Sequence, residues 1–275
     1  MKRMLCWLVV LVLGALSPAW HEAAADPVLP NFGSATFVPG APIDNPYHPL
    51  VPGTLSTYEG EVEDDGESLL ERVRVFVTFD TRTILGVPCR VVRDTVWVDG
   101  VLEEDTFDWY AQDTDGNVWY MGEFSTEYEY NDDGNLTGTN HDGSWEAGVD
   151  GAQPGYIMEA VPAVGDAYYQ EYYVGEAEDQ AEVLSLTEFV SIDFGDFSNV
   201  LQTRETTDLE PDVLEHKFYA PGIGLILVNE FDDEGEVAFS SELVRVDHVV
   251  PEPASLGLLA LGGLGLLRRR KRRMA

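Results

Sequence analysis

One acidic turn of the chain offers oxygen ligands for a hard cation. Asp113, Asp115 and Asn117 occupy every second position of a five-residue segment that contains Gly116. Carboxylate and amide oxygens are the ligands that Ca²⁺ prefers. A full EF-hand loop places its glycine later and ends in a bidentate Glu. A hairpin turn explains the same residues, because Asp-Gly pairs tolerate positive φ. The three residues are therefore candidate Ca²⁺ ligands, and the sequence predicts no required cofactor.

A second candidate site places a Trp between carboxylates in the Gly-rich segment 143–151. Trp145, Glu146 and Asp150 could contact a glycan there, and a loop anchored by the Trp is the alternative. A glycosidase needs two carboxyls about 5–5.5 Å or 6.5–9.5 Å apart. The chain contains 50 Asp and Glu residues, so spacing along the sequence selects no catalytic pair.

Other catalytic patterns find little support. The chain has no G-x-S-x-G elbow, no P-loop and no dinucleotide-binding glycine pattern. Glu215-His216-Lys217 falls in a candidate strand, where Glu215 and Lys217 would share one face and His216 the other. A buried, hydrogen-bonded His216 is the prediction. The sequence therefore predicts a protein that is not an enzyme.

The elements that must position these residues are strands. Val73, Val75 and Val77 alternate with polar residues, which is the period of a half-buried strand. Asp-Gly turn signals separate many of the other apolar runs. These runs are 87–98, 101–111, 117–130, 168–174, 182–194, 199–207, 213–220, 223–231 and 236–247. The pattern predicts an all-β domain built as an antiparallel meander.

The chain also contains a weak internal echo. Residues 86–111 and 195–220 both begin with Gly and end in an aromatic residue followed by Tyr-Ala. The echo predicts two similar halves that form a sandwich or a curved half-barrel, because pairing them covers bare sheet edges. Chance similarity between acidic hairpins is the alternative. A curved sheet could also enclose an apolar pocket for a small ligand or lipid.

The strongly negative net charge of the chain excludes some classes of binding partner. Between residues 26 and 250 the chain keeps 8 of its 16 basic and 48 of its 50 acidic residues, a net charge of −40. Such a body repels nucleic acid and anionic lipid, and it attracts cations. Cys89 is the one cysteine in this range, so no disulfide can form within it. The sequence therefore predicts no nucleic-acid partner.

The N-terminus has the features of a secretory signal. A basic start is followed by a mostly apolar run over residues 4–16 and by small residues at Ala23 and Ala25. We expect export by the Sec machinery and cleavage after Ala25. Residues 26–53 are rich in proline and predict an extended leader, which docks on the domain through Tyr47 and Leu50.

The C-terminal 25 residues combine three features in a fixed order. Pro251-Glu252-Pro253 precedes a short apolar run, and a basic cluster that includes Arg268, Arg269 and Arg270 ends the chain. Basic residues resist transfer across a bilayer, so this end should stay cytoplasmic while the body lies outside. The apolar run predicts a short helix that anchors the chain in the membrane before processing. A plain tail anchor is the alternative.

This tail resembles the PEP-CTERM sorting signal of Gram-negative bacteria. The resemblance implies that an exosortase recognises and removes the segment. It also implies delivery to the cell surface or to an exopolysaccharide matrix, after transient anchoring in the inner membrane. It gives the protein a destination and leaves the activity of the body open.

The body is similar to a group of uncharacterised secreted bacterial proteins that are rich in β-structure. The shared phrases include Asn45-Pro46-Tyr47, Asp108-Trp109-Tyr110-Ala111-Gln112-Asp113, Gly143-Ser144-Trp145-Glu146-Ala147-Gly148, and Tyr219-Ala220-Pro221-Gly222. The likeness covers most of residues 45–231. It implies that this module also occurs without a sorting tail, and it supplies no mechanism.

The sequence therefore predicts four segments. They are a signal peptide (1–25), a Pro-rich leader (26–53), an acidic all-β domain (54–250) and a sorting signal (251–275). The predicted function is that of an exported, non-catalytic protein of the cell surface or exopolysaccharide matrix. Two alternatives remain: a β-module that binds an apolar ligand or lipid, and a glycan-active enzyme.

Overall fold

The computed structural model describes residues 25–64, 66–131 and 133–250. The predicted sorting tail, and the predicted signal peptide apart from Ala25, lie outside the described residues. The described part contains one short 3₁₀ helix, Phe32–Ser34, and 16 strands. The all-β prediction is therefore confirmed.

The strands fall into three groups along the chain. The first group is β1 (Thr54–Asp64), β2 (Glu67–Ile84), β3 (Val87–Val98), β4 (Val101–Gln112) and β5 (Val118–Phe124). Short strands follow: β6 (Glu127–Tyr130), β7 (Leu136–Asn140), β8 (Trp145–Glu146), β9 (Gln153–Met158), β10 (Ala167–Tyr169) and β11 (Glu171–Tyr172). The last group is β12 (Asp179–Ile192), β13 (Gly195–Thr207), β14 (Glu215–Ala220), β15 (Gly224–Phe231) and β16 (Val237–His248).

Tight hairpin turns connect the long strands. Asp99 and Gly100 join β3 to β4 with φ values of 48° and 82°. Two consecutive positive φ values match the right-handed twist of the flanking strands, and Asp-Gly accepts them at low cost. The turn signals in the sequence therefore mark real hairpins.

Two meanders make up most of the sheet. Strands β1 to β5 pair in order, strands β12 to β16 pair in order, and β16 pairs with β1 to join them. The internal echo falls on two strand pairs at different positions of the meanders. Residues 86–111 form β3 and β4, the third and fourth strands of the first meander, and residues 195–220 form β13 and β14, the second and third strands of the other. The two meanders are adjacent parts of one sheet, and the internal duplication stays a prediction.

One short chain segment links the two ends of this sheet. β10 pairs with β12 at one end, and β11 pairs with β9 at the other. Only Gln170 separates β10 from β11, and its backbone N–H donates to the Asp179 carbonyl. The sheet therefore curls into a nearly closed half-barrel. The predicted strand 168–174 is interrupted for the same reason, since its two halves pair with different neighbours.

The leader packs across one end of the half-barrel. Phe32 and Phe37 contact the ring of Trp119, which is 1% exposed. Asn45 Nδ2 donates to the carbonyls of Gly116 and Glu159 at 3.0 Å and 2.9 Å. These contacts bury the end of the half-barrel that carries the β4–β5 turn. Leu50 is buried and Tyr47 packs against the same core.

Candidate functional site

Carboxyl groups line one wall of the half-barrel interior. Residues directly opposed in an antiparallel pair share a face of the sheet. Val92, Asp108 and Glu123 are opposed in this way on β3, β4 and β5. Asp94 lies two residues beyond Val92 and therefore shares that face. This wall consequently places three carboxyls on the side that also carries the apolar core.

The opposite wall adds more carboxyls. Tyr168, Ala181, Glu205 and Glu215 follow one another across β10, β12, β13 and β14. Asp179 precedes Ala181 by two residues, so it shares the same face. We call six residues of the two walls and of β11 the acidic interior. They are Asp94, Asp108, Glu123, Glu171, Asp179 and Glu205.

A cavity of about 300 Å³ opens between these walls. Glu123, Glu171, Asp179 and Glu205 are among its lining residues, and Lys217 is the one basic residue that lines it. The leader covers the other end of the half-barrel, so the acidic interior lies toward the end that the leader leaves open. The cavity can therefore receive a polar or cationic ligand of modest size.

Two carboxyls of the acidic interior share one tyrosine hydroxyl. Tyr120 Oη lies 2.7 Å from Asp108 Oδ1 and 2.5 Å from Glu123 Oε2. The hydroxyl has one proton and donates to one carboxyl only. The other contact is a hydrogen bond when one of the two carboxyls is protonated and donates to the hydroxyl oxygen. Burial, with the neighbouring Asp94, raises the pKa of Asp108 to about 7. Burial, with Asp108, raises the pKa of Glu123 to about 8.

These pKa shifts predict that the protein loses stability at alkaline pH. A carboxyl whose folded pKa is raised contributes stability that is complete below its unfolded pKa and disappears as pH rises through the folded value. We expect the free energy of unfolding to fall by about 2 kcal/mol between pH 6.5 and pH 9. The window lies above the titration of His48, whose pKa burial lowers to about 4. Urea unfolding across this range measures the effect.

A matched pair of variants tests whether the acidic interior causes this loss. Glu123→Gln replaces a carboxyl that is protonated near neutral pH with a neutral amide, so the fall toward pH 9 should become smaller. Glu236→Gln changes an exposed residue and should leave the profile unchanged. A flat stability profile for the unsubstituted protein would contradict the assignment.

Lys217 balances part of the acidic interior. Its Nζ lies 2.8 Å from Glu205 Oε2 and 3.0 Å from Glu215 Oε2. Burial alone would raise the pKa of Glu205, but Lys217 and hydroxyl donors hold that pKa below its usual range. Burial opposes the charge on Lys217, and the two carboxylates raise the pKa of its ammonium well above the ordinary value. Glu205 and Lys217 therefore form an ion pair.

Other carboxyls of the acidic interior have no such partner. Burial, followed by Asp179, raises the pKa of Glu171 well above its usual range. Burial is also the largest cause of the raised pKa of Asp179, although Lys217 acts against it. Among the described residues, neither these two nor Glu123 forms a salt bridge. The interior therefore contains more carboxyls than its one lysine can neutralise.

The three residues predicted to contact a glycan are separated in the structure. Trp145 is 4% exposed, and its Nε1 donates to Glu171 Oε2 at 2.5 Å. Glu146 is the next residue of the strand and faces the other side, where it pairs with Arg82. Asp150 occupies an exposed turn with a φ of 49°. The structure therefore brings only Trp145 to the acidic interior, and glycan contact by this set stays a prediction.

Asp113 organises the turn that was a candidate for calcium. Its Oδ1 accepts from the backbone N–H groups of Asp115, Gly116 and Asn117 at 2.9–3.0 Å. Its Oδ2 accepts from Asn117 Nδ2 and from Trp119 Nε1, both at 2.9 Å. Both carboxylate oxygens are thus engaged by protein donors. Ca²⁺ binding by Asp113, Asp115 and Asn117 stays a prediction, since an ion would have to displace these donors.

The acidic interior is the feature that sequence reasoning missed. Glu215 and Lys217 share one face, as predicted. His216 is half-buried rather than buried, and it packs on Phe231 with its Nδ1 3.1 Å from Gln202 Nε2. The pairing of Lys217 with Glu205 was not foreseen, because the two residues lie on different strands. Among the described residues, no group of three or more His, Cys, Asp or Glu side chains is arranged to hold a metal ion.

Comparison with known proteins identifies the C-terminus. Residues 249–273 match the PEP-CTERM protein-sorting motif. The chain carries a PEP-CTERM sorting signal. The resemblance seen in Pro251-Glu252-Pro253, the apolar run and the basic cluster is therefore confirmed. The PEP-CTERM motif implies Sec export and processing by an exosortase, so the protein is an exported protein of the cell envelope or surface.

Three solved structures overlap most of this chain at low identity. A Bacteroides fragilis protein described as exported and YmcC-like in fold is 15% identical, with a TM-score of 0.41 over 78% of this chain and 99% of its own. A Parabacteroides distasonis protein described as a lipoprotein is 10% identical, with a TM-score of 0.37 over 73% and 98%. A DUF1329 family protein from Desulfovibrio piger is 6% identical, with a TM-score of 0.27 over 74% and 88%. No curated protein matches this chain by sequence.

The membrane contact predicted for the PEP-CTERM tail falls outside the described residues. Within residues 25–64, 66–131 and 133–250, no helix is both long and apolar enough to cross a bilayer. The short C-terminal helix therefore stays a prediction.

Proposed function

We propose that this protein is a non-catalytic component of the cell surface or of the exopolysaccharide matrix of a Gram-negative bacterium. The PEP-CTERM motif at residues 249–273 is the observation that carries the proposal. A sorting signal at the end of the chain gives the preceding body its destination. The body is transiently held at the inner membrane by the apolar run and is released from it by exosortase.

The charge of the body supports a role in a hydrated matrix. Its net charge of −40 between residues 26 and 250 keeps it soluble and draws cations to its surface. Cations, in turn, can bridge carboxylates to the acidic groups of an exopolysaccharide. Exopolysaccharide is therefore the partner we propose for the exposed surface.

The interior favours a polar ligand over an apolar one. The apolar-ligand alternative calls for a pocket lined by Trp, Tyr and Leu, whereas carboxyls make up much of the cavity lining. The glycan-active alternative calls for a carboxyl of raised pKa in a cleft, and Glu123 has that property. Trp145 lies buried beneath Glu171, however, and exposes no face for a sugar to stack on.

Intact mass and cell fractionation test the proposed sorting. The protein recovered from its host should begin at Asp26 and lack Arg268 to Arg273, and it should be found outside the cytoplasm. Changing Pro251, Glu252 and Pro253 to Ala should abolish tail removal and leave the protein with the inner membrane.

A Glu-Pro pair in the body provides a control for the Pro251-Glu252-Pro253 substitution. Glu210-Pro211 lies in an exposed loop of the body, so changing both residues to Ala should leave sorting intact. An unprocessed, cytoplasmic protein in the host would overturn the proposal. Equal mislocalisation of the tail and loop variants would show that folding rather than the motif had been disturbed.

A further inference from the structure

We propose that the acidic interior binds ligands that carry primary ammonium groups, with small linear polyamines as the class that fits the cavity. This inference concerns the body of the protein and holds whether or not the protein belongs to a matrix.

Lys217 shows within the molecule how the interior recognises an ammonium. Its Nζ is held between Glu205 Oε2 and Glu215 Oε2 at 2.8 Å and 3.0 Å. Such charge-assisted hydrogen bonds are about twice as strong as neutral ones. Tyr219 Oη also donates to Glu205, so the carboxylate that receives the ammonium is held in place.

The rest of the cavity wall repeats these acceptors without a second cation. Glu123, Glu171 and Asp179 line the cavity, and among the described residues none of them takes part in a salt bridge. A ligand ammonium could take the place there that Lys217 takes at Glu205 and Glu215. A chain of methylene groups between two ammonium groups would suit a cavity of about 300 Å³.

Unsatisfied polar atoms give a second, independent indication of a missing ligand. Tyr168 is 2% exposed, and its hydroxyl has no hydrogen-bond partner among the described residues. Its row on the sheet passes through Ala181 to Glu205, so Tyr168 lies on the same inner face as the acidic interior. Asp94 Oδ1, which belongs to the acidic interior, is also buried without a partner. Buried polar groups ordinarily have partners, so each of these atoms calls for one.

The arrangement of the carboxyls favours an ammonium over a metal ion. Ca²⁺ takes 6–8 oxygen ligands converging on one point. The carboxyls are instead spread over several strands, and in the described part of the chain no three acidic, His or Cys side chains converge on a metal position. An ammonium needs only one to three acceptors at each point, which these walls supply.

Binding should release protons, because the ligand replaces protons that the empty site holds. Glu123, Glu171 and Asp179 have raised pKa values, with burial as the first cause in each case. The titratable or charged groups that face them are Asp94 on β3, Asp108 on β4, Tyr120 on β5, Glu205 on β13, and Glu215 and Lys217 on β14. Glu104, Glu176 and Glu210 add carboxyls at the edge. Polyamine affinity should therefore rise between pH 6 and pH 8.5, whereas exposed carboxylates are fully ionised throughout that range.

Titration calorimetry with the chain recovered from its host tests the site. Putrescine and spermidine serve as probes at pH 6 and pH 8.5. Glu171→Gln combined with Asp179→Asn should weaken binding by about tenfold or more, the loss expected for removing charged hydrogen bonds. Asp233→Asn combined with Glu234→Gln removes the same number of carboxyls from an exposed turn and should change affinity by less than about twofold.

Further ligands test the need for N–H donors and distinguish free polyamines from an amino sugar polymer. Permethylated putrescine keeps its charge but has no N–H donors, so it should bind more weakly than putrescine. A short glucosamine oligomer carries the same ammonium chemistry on a polysaccharide, and tighter binding than spermidine would assign the site to that source. Equal losses in the two double variants, or an affinity that does not change with pH, would reduce the effect to attraction by net charge and overturn the proposal. Circular dichroism of each variant confirms that it is folded.

Discussion

Replacing Lys217 with methionine should lower the free energy of unfolding by about 3 kcal/mol at pH 8, the cost of breaking a buried ion pair from one side. Glu205 is 5% exposed and would keep its charge without the ammonium that neutralises it. Methionine fills a volume similar to the lysine stem, so packing should change little. Urea denaturation of the parent and the variant measures the difference.

The pH dependence of this loss identifies its cause. With Lys217 gone, burial raises the pKa of Glu205, and the carboxyl can become neutral by taking up a proton at acidic pH. The destabilisation should therefore be smaller at pH 5 than at pH 8. An exposed cation gives the control: Arg245→Met should cost less than about 0.5 kcal/mol, because Arg245 pairs with Asp247 on the surface.

Chemical rescue extends the same experiment to the proposed ligand site. A short alkylamine can enter the space left by Lys217 and bind Glu205 and Glu215, so butylamine should recover part of the lost stability. Equal destabilisation at pH 5 and pH 8 would point to lost packing rather than an unpaired charge. It would also show that the contacts of Lys217 with Glu205 and Glu215 do not support the proposed binding of ammonium groups.

Replacing Asp113 with alanine should destabilise the protein by about 4 kcal/mol, the largest loss that we expect from a single polar substitution. Five donors converge on its two oxygens, and Trp119 Nε1 among them is fully buried. Each donor left buried without an acceptor adds its desolvation cost of about 1–3 kcal/mol, partly offset by water. Thermal or urea unfolding measures the loss.

The effect should extend to the leader. The Thr114 N–H donates to the Thr36 carbonyl at 2.8 Å, and Phe37 forms a bridge with Asp113. A distorted turn would weaken the packing of the leader over Trp119. Limited proteolysis should therefore cut the leader faster in the Asp113→Ala variant than in the parent.

Asp115 provides the matched control within the same turn. Its side chain is exposed, so Asp115→Ala should cost less than about 0.5 kcal/mol. Calcium adds a second measurement to the comparison. If the turn is held by its own donors, Ca²⁺ should leave the stability of the parent unchanged. A calcium-dependent increase that both substitutions remove would instead support the calcium-loop prediction.

The strands were largely predictable because their signals are local. Alternation at Val73, Val75 and Val77 follows from the pleat, and Asp99-Gly100 can adopt the two positive φ values of a tight hairpin. The span 87–98 predicted for β3 agrees with the structure. Predictions failed where the chain changes partners, as at Gln170, because pairing with a distant strand leaves no mark in a short window.

The candidate site was not predictable for a related reason. Asp94, Asp108 and Glu123 belong to three strands, and each looks like an ordinary polar residue of a half-exposed strand. They meet only because the register sets Asp108 opposite Glu123 and because β10 and β11 join the two ends of the sheet. In an open sheet the same carboxyls would be solvated and would hold no protons near neutral pH.

The sequence by itself determined the destination of the protein and its class of fold. A sorting signal is read as a linear segment, and alternation and turn chemistry act over a few residues. The tertiary structure alone decided that the acids of the two meanders face each other around a single lysine. That outcome depends on long-range register and closure, which are set by the free energy of the whole sheet rather than by any one segment.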